Sequence, residues 1–240
     1  NYYQMKNLIF AFACFFSFSV ASQTVYTEGQ VVFNNDSTLC LDKSNNLPIT
    51  GLLNKYHENG QLSDEDNYKN GELEGLCKAY HENGQLRYVG IYNEMGPFGL
   101  HKSYYENGQL SYVGEFTGSY DRPKIGLKIG LWKGYYENGQ LKSEGEYDDL
   151  GAIDLWKGYY ENGQLRYVGE YENGDKEGLW KDYYENGQLK SEDEYEYGDK
   201  QGLHKDYYEN GQLSEEGNYK DGESVSLICY DESGNEITCE

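Results

Sequence analysis

The chain has few of the residues from which thick aliphatic cores are built. Only 37% of its 240 residues are hydrophobic, and 20 basic residues stand against 42 acidic ones. The shortage of aliphatic side chains disfavours a large globular core. The formal charge of −22 repels phosphate groups, so neither nucleic acid nor an anionic lipid surface is expected as a partner.

Long hydrophobic runs are absent except near the start of the chain. Lys6 precedes an apolar run over residues 8–20, and small residues follow it. About 13 apolar residues are too few to cross a bilayer comfortably, so residues 1–22 are predicted to be a secretory signal peptide, with Asn1–Gln4 as an upstream extension. The chain is therefore expected to be exported. Cys14, within the run, leaves lipidation open as an alternative.

Cysteine is scarce, with five in the chain. Cys229 and Cys239 flank a predicted hairpin, and a three-residue loop at 233–235 would bring them face to face for a disulfide. Cys40 and Cys77 are too far apart in sequence to be paired by inference. Two free, buried thiols are an equal alternative to a bond between them.

The chain is rich in a short repeat. Glu-Asn-Gly-Gln-Leu occurs seven times at steps of 24 residues, with one step of 31. Asn-Gly between two alternating runs predicts a hairpin with a type I′ turn. The predicted fold is all-β, an elongated, twisted antiparallel sheet of tandem 24-residue β-hairpins. The units are 51–74, 75–98, 99–129, 130–153, 154–177, 178–201 and 202–225, with an N-terminal β cap at 23–50 and a C-terminal capping hairpin at 226–240.

The turn also predicts a register. A two-residue Asn-Gly turn in the sixth unit places Tyr184 opposite Leu189. Alternation along the strands then gathers the Trp, Tyr and Leu of each unit on one face. On that face, Trp132 is predicted to lie flat over Gly145, its cross-strand neighbour in the same hairpin.

Two features break the regularity of the repeat and mark candidate binding surfaces. Three tyrosines extend the ring-bearing face where other units have serine or an acidic residue, and an insertion near 118–129 carries basic side chains. Packing within the sheet is the alternative use of the rings. The candidate binding surface consists of Trp132, Trp156, Trp180, Tyr88, Tyr112, Tyr167 and Arg122.

No pattern typical of an active site is present. Equivalent residues of successive units lie roughly 10 Å apart, which is too far for His57 and His81 to share a metal. All four histidines are therefore interpreted as further rings of the ladder. Carboxylates recur in every unit, so no pair is singled out as acid and base. Neither a catalytic activity nor a metal or cofactor is predicted.

The repeat unit resembles a known family. Gly-Leu-Trp-Lys-Gly-Tyr-Tyr-Glu-Asn-Gly-Gln-Leu-Lys-Ser-Glu-Gly-Glu-Tyr, at 130–147, closely resembles the variant MORN repeat of bacterial toxin–antitoxin system YwqK-family antitoxins. The resemblance covers nearly all of residues 45–240. It implies antiparallel hairpin ribbons, interaction with proteins and neutralisation of a partner toxin, and it brings no catalytic residues.

We therefore expect a non-catalytic, exported scaffold that binds another protein, either a toxin or an envelope protein, as an antitoxin or immunity-like factor. Export places the chain in the bacterial periplasm, the outer envelope or the extracellular space. The alternative is a cell-envelope glycan-binding module, because a ladder of aromatic side chains can stack on sugar rings.

Overall fold

The computed structural model describes residues 23–118 and 126–239, which form an all-β chain with one short 3₁₀ helix at Glu28–Gln30. The predicted signal peptide at 1–22 lies outside these residues. The strands are β1 (Val25–Thr27), β2 (Val31–Phe33), β3 (Cys40–Asp42), β4 (Gly51–Tyr56), β5 (Leu62–Lys69), β6 (Glu72–Leu73), β7 (Gly75–Tyr80), β8 (Leu86–Asn93), β9 (Gly96–Tyr104), β10 (Leu110–Thr117), β11 (Leu127–Tyr135), β12 (Leu141–Asp148), β13 (Gly151–Tyr159), β14 (Leu165–Glu172), β15 (Asp175–Tyr183), β16 (Leu189–Glu196), β17 (Asp199–Tyr207), β18 (Leu213–Lys220), β19 (Glu223–Tyr230) and β20 (Glu236–Ile237).

The repeats form one continuous antiparallel meander. From β4 to β20 the strands follow one another in an 18-stranded sheet, which β1 completes by pairing in parallel with β4. The β2–β3 hairpin is separate. The predicted all-β ribbon of tandem hairpins is therefore confirmed. In the described residues no helix has the length and apolarity needed to span a membrane.

The turns at the Asn-Gly pairs differ from the predicted type. In the sixth unit, the amide of Gly187 donates to the carbonyl of Tyr184 at 2.9 Å, and that of Tyr184 donates to Gln188 at 2.8 Å. Gly187 has φ +85, whereas Asn186 is not among the residues with positive φ. This is a type I turn followed by a glycine bulge, so the type I′ prediction for this turn is wrong.

The bulge shifts the register close to the turn. Tyr183, rather than the predicted Tyr184, lies opposite Leu189. The register shifts between Tyr183 and Asp182, and beyond that point the strands pair as the two-residue loop had predicted. Trp180 therefore lies opposite Asp193. The error is thus confined to the end of the hairpin.

Type I′ geometry occurs at the opposite edge of the ribbon, where the chain passes from unit to unit. Tyr197 and Gly198 have φ +51 and +86, and Asn173 and Gly174 have φ +53 and +92. Two consecutive left-handed residues are the mark of a type I′ turn. These two crossings therefore differ in turn type from the Asn-Gly pairs, whereas the crossings at Glu94–Met95 and Asp149–Leu150 have no positive φ at these residues.

Both ends of the ribbon are covered. At the N-terminal end, Val31, Cys40 and Ile49 pack with Leu53 of the first repeat in a small buried core. Cys40 is a free thiol in that core, and Cys77 is a second buried free thiol. Residues 23–50 thus lie against the first hairpin, where an unprotected sheet edge would expose its backbone groups.

The C-terminal hairpin carries a disulfide. Cys229 and Cys239 are joined, with their Cα atoms 5.3 Å apart. Their predicted face-to-face register is wrong, because Ile237 lies opposite Cys229 and Glu236 lies opposite Tyr230. The hairpin uses the same turn as the repeats, with the amide of Gly234 donating to a carbonyl three residues earlier. The bond therefore runs diagonally between the strand and the tail.

Candidate functional site

The tryptophans join successive hairpins. The indole of Trp180 lies over Gly169 of the preceding unit, so close that a Cβ at that glycine would come within 2.2 Å of the ring. Its Nε1–H donates to the carbonyl of Glu170 at 3.0 Å. Trp132 covers Gly114 and Trp156 covers Gly145 in the same way. The prediction that Trp132 lies over Gly145 of its own hairpin is therefore wrong.

An interruption of the strand pairing accompanies this contact. Between β14 and β15, Val168 pairs with Lys181 and Glu170 pairs with Glu177, so the register shifts at the intervening Gly169. A glycine here leaves a bare stretch of backbone on which an indole can lie. Each tryptophan thus connects two repeats, as stability in a repeat array requires.

Two of the three tryptophans are also covered from above. Tyr112 stacks on Trp132 with ring centroids 5.8 Å apart and planes at 27°, and the ammonium of Lys128 lies 4.5 Å from the centre of the indole. Trp132 is 8% exposed as a result.

Residues of the fifth unit cover the indole of the sixth unit in the same way. Tyr167 stacks on Trp180 at 6.0 Å and 26°, and Lys176 lies 4.2 Å from the indole centre. Trp180 is 3% exposed.

Trp156 lacks both covers. Ser143 occupies the position of the stacking tyrosine, two residues before the covered glycine, and Ala152 occupies the lysine position, four residues before the tryptophan. In the described part of the chain, Trp156 makes only edge contacts with rings, to Tyr147 at 5.0 Å and to Tyr171 at 5.8 Å. Its indole remains partly exposed.

A cavity of about 360 Å³ opens beside Trp156. Its floor includes Gly134 and Ser143, which are paired across β11 and β12 and have little side chain between them. Aromatic rings and two lysines line the rest: Tyr112, Phe116, Lys128, Trp132, Lys133, Tyr147 and Trp156. A second cavity of about 450 Å³ shares Tyr112 and Phe116 and continues along the same face towards the second unit.

One cation borders the apolar part of this cavity. Lys128 lies over Trp132 and also 4.9 Å from the centre of Tyr147. Burial lowers the pKa of Lys128 and raises the pKa of Tyr147. The site therefore combines ring faces, a partly desolvated ammonium and an open side, but it holds no nucleophile paired with a base.

The structure divides the predicted binding surface. Tyr112 and Tyr167 pack on tryptophans, and Tyr88 packs against His101 with ring centroids 5.6 Å apart. Arg122 lies outside the described residues. Of the three predicted tryptophans, Trp156 is the one that is not buried.

The conspicuous motif residues serve the scaffold. The hydroxyl of Tyr184 donates to the carbonyl of Tyr207 in the next unit at 2.7 Å, and the side-chain amide of Asn186 donates to the carbonyl of Glu209 at 3.2 Å. His57 replaces such a tyrosine and contacts a carbonyl in the same way, at 2.9 Å. Each turn is thereby tied to the next one.

Sequence reasoning overlooked the positions that open the site. Ser143 and Ala152 have no chemistry of their own, and they matter only because the neighbouring units place Tyr and Lys there. The signal was present as a departure from the repeat, once the tryptophan is known to lean on the preceding unit. The carboxylates around His204, described below, were overlooked for the same reason.

Comparison with known proteins agrees with this architecture. A model of the MORN repeat variant matches residues 49–70, 73–94, 99–117, 128–149, 155–173, 176–197 and 200–221, which is more than half of the chain. A search of curated proteins finds no match.

Two solved structures are similar to this chain at low sequence identity. "Crystal Structure of TcdB2-TccC3-TEV" is 12% identical with a TM-score of 0.19, over 83% of this chain and 12% of that chain. "Crystal Structure of TcdB2-TccC3-Cdc42" is 11% identical with a TM-score of 0.16, over 86% of this chain and 15% of that one. This chain therefore spans about an eighth of the first of those chains.

Repeats of the matched kind form scaffolds for protein or membrane interaction and are generally non-enzymatic. The chain belongs to the MORN repeat variant family.

Proposed function

We propose that the chain is a non-catalytic scaffold that binds another protein, and that Trp156 is the anchor of the binding site. The observation that carries this proposal is the open indole of Trp156, beside a cavity lined by other rings. A partly exposed tryptophan in an aromatic pocket is the residue type most often found at the energetic centre of protein interfaces.

The neighbouring units indicate what fits this site. Over Trp132 and Trp180 the chain places a tyrosine ring and a lysine ammonium. A partner that places the same groups over Trp156 would gain stacking and cation–π contacts. We therefore expect a protein segment with an aromatic side chain beside a lysine or arginine. The charge of −22 favours a basic partner and speeds its association.

The specific form of the proposal is an exported antitoxin or immunity-like factor whose partner is a toxin, with an envelope protein as the other class of partner. The disulfide between Cys229 and Cys239 supports an oxidising compartment, where such bonds persist. Co-production of the chain with the product of a neighbouring gene, followed by a growth measurement, tests the antitoxin role. Growth inhibition that the chain does not relieve counts against it.

A cell-envelope glycan is the second candidate. The exposed face of Trp156 beside the hydroxyl of Ser143 favours it, because a sugar ring stacks on an indole while its hydroxyls take hydrogen bonds. This ligand needs no cation. The glycan candidate therefore predicts that the chain binds neutral and charged polysaccharides equally well.

A variant that closes the site tests the proposal without removing a structural residue. Ser143→Tyr combined with Ala152→Lys installs over Trp156 the two groups that cover Trp132 and Trp180. The new tyrosine has room over Gly134, as Tyr167 has over Gly158. We expect the double variant to fold at least as stably as the wild type.

The measurement is retention of envelope proteins and of purified peptidoglycan by the immobilised wild-type chain, the double variant and Trp156→Ala. The proposal expects a protein that the wild type retains and that both variants lose, with affinity reduced about tenfold or more. Lys190→Ala, near the turn end of β16 and beside Tyr184, is the matched control and should bind as the wild type does. Equal protein retention by all four chains overturns the proposal, and retention of peptidoglycan alone that Trp156→Ala abolishes establishes the glycan candidate instead.

A further inference from the structure

His204 stands in the seventh unit where the middle units have tryptophan, and it is surrounded by carboxylates. Its Nε2 lies 3.1 Å from Oε1 of Glu215 and 3.6 Å from Oδ2 of Asp206. These three atoms all lie within 4.8 Å of one another. Asp206 is two residues after His204 on β17, and Glu215 lies opposite Asp206 on β18. The pleat therefore places the three side chains on one face of the sheet.

The other ring nitrogen fixes the tautomer of this histidine. Nδ1 lies 2.5 Å from Oδ1 of Asp193, which also accepts a hydrogen bond from Lys200 at 2.8 Å. An acceptor at this distance places a proton on Nδ1. In the neutral ring, the lone pair of Nε2 then points at two carboxylate oxygens. That arrangement is repulsive unless a second proton or a cation lies between them.

The negative charge of the carboxylates around His204 also favours a bound cation. Lys200 balances Asp193, which leaves Asp206 and Glu215 with no lysine or arginine within ion-pair distance among the described residues. The side chains of His204 and Asp193 are only 5% and 8% exposed, whereas Asp206 is 44% exposed and Glu215 is 28% exposed. The site is therefore buried on the side of His204 and Asp193 and open to solvent on the side of Asp206 and Glu215.

We propose that His204, Asp206 and Glu215 bind a divalent first-row transition cation such as Zn²⁺. One imidazole and two carboxylates form a ligand set that these ions accept, with a remaining position for water or a partner group. Ligands of a tetrahedral ion with bonds of about 2.0–2.1 Å lie roughly 3.3 Å apart. The separations of 3.1 and 3.6 Å from Nε2 bracket that spacing. Asp193 orients the histidine in the way that outer carboxylates orient metal-ligating imidazoles.

The repeat itself offers the comparison. His101 occupies the equivalent position in the third unit, but its ring nitrogens meet the hydroxyl of Tyr88 and the carbonyl of Ile91. There a histidine merely replaces the tryptophan. Asp193 replaces the covered glycine of the sixth unit, and Glu215 stands in the seventh unit where other units have serine or tyrosine. His204, Asp193 and Glu215 thus depart from the repeat together, whereas Asp206 has a counterpart in Asp182 of the sixth unit.

Titration of the untagged full chain with Zn²⁺ after removal of metal by a chelator tests the site. We expect one equivalent to bind at micromolar or tighter affinity and Glu215→Gln to weaken binding at least about tenfold. Asp193→Asn removes the carboxylate that orients the ring and that also pairs with Lys200, and it should weaken binding about 10- to 100-fold. Co²⁺ in place of Zn²⁺ provides a visible absorption spectrum that reports the coordination. Glu192→Gln, a carboxylate paired with Lys181 on the other face, is the control and should bind as the wild type does.

The two glutamine variants conserve side-chain shape, and circular dichroism verifies that they fold. Binding of one equivalent that Glu215→Gln weakens and Glu192→Gln does not supports the site. Absence of Zn²⁺ binding up to about 1 mM, or equal binding by the wild type and Glu215→Gln, overturns it.

Discussion

Gly169→Ala tests the link between repeats at a single point. Its new Cβ would lie 2.2 Å from Cδ2 of Trp180, a distance that the indole can relieve only by leaving the backbone. The displaced ring loses its hydrogen bond to Glu170, worth about 1 kcal/mol. It also loses its stacking on Tyr167, worth about 0.5–1.5 kcal/mol. Exposure of a further 50–100 Å² of indole costs roughly 1–2 kcal/mol.

The loss of unfolding free energy should therefore be about 3 kcal/mol. Gly134→Ala is the matched control, because its φ is ordinary and the nearest atom to its Cβ would be the hydroxyl oxygen of Ser143, at 3.2 Å. That change should be neutral within about 0.5 kcal/mol, since alanine also restricts the unfolded chain. Urea unfolding followed by circular dichroism compares the two. Equal midpoints for Gly169→Ala and Gly134→Ala would refute the idea that the indole over glycine holds the repeats together.

Three further predictions concern single positions. Gly187→Val should lower the unfolding free energy by about 1 kcal/mol or more, because φ is +85 there and the new Cβ would lie 2.7 Å from Oε1 of Gln164; an unchanged urea midpoint would contradict it. The hydrogen bond from Lys181 lowers the pKa of Glu192 in the folded chain. The contribution of this pair to stability is therefore complete above the pKa of about 4.3 that Glu192 has in the unfolded chain, and it is lost as pH falls through the pKa of Glu192 in the folded chain. The difference in urea midpoint between wild type and Glu192→Gln should accordingly shrink between pH 6 and about pH 3, and a constant difference would count against the pair. Burial raises the pKa of Cys77 to about 11, so mass-spectrometric mapping after alkylation at pH 8 should find that thiol unmodified until the chain is unfolded, and rapid labelling of the folded chain would show that it is accessible.

The sequence predicts the ribbon because its period is long, regular and punctuated by glycine. The turn type was harder to predict, since Asn-Gly suits a type I′ turn and a type I turn with a glycine bulge equally well. Both place Gly187 at positive φ and differ only in the conformation of Asn186.

The direction of each tryptophan was likewise undetermined by alternation alone. A strand has two neighbours, and the pleat fixes the face of Trp180 without choosing between them. The sixth unit nevertheless held a clue, because Asp193 lies opposite Trp180 in its own hairpin and only Gly169 of the preceding unit could accept the indole. The same Asp193, in place of glycine, also provides the carboxylate that contacts His204.

The candidate site could be predicted only in part. The three tryptophans were chosen from the sequence, but nothing local distinguished Trp156 from the other two. Its exposure results from Ser143 in one strand and Ala152 in another, and the effect of both depends on the contact with the preceding unit. A site created by small residues is visible only after the ring that they fail to cover has been placed.

The most direct test of the account is the indole ¹H–¹⁵N NMR spectrum, which contains one Nε1–H signal for each of Trp132, Trp156 and Trp180. When a protein retained by the wild-type chain is added, we predict that the signal of Trp156 shifts or broadens, that of Trp180 stays in place, and the Ser143→Tyr, Ala152→Lys variant gives no response. The central claim is that the open unit is the binding site. It would be contradicted if the partner bound the double variant as tightly as the wild type and left the Trp156 signal of the wild type unmoved.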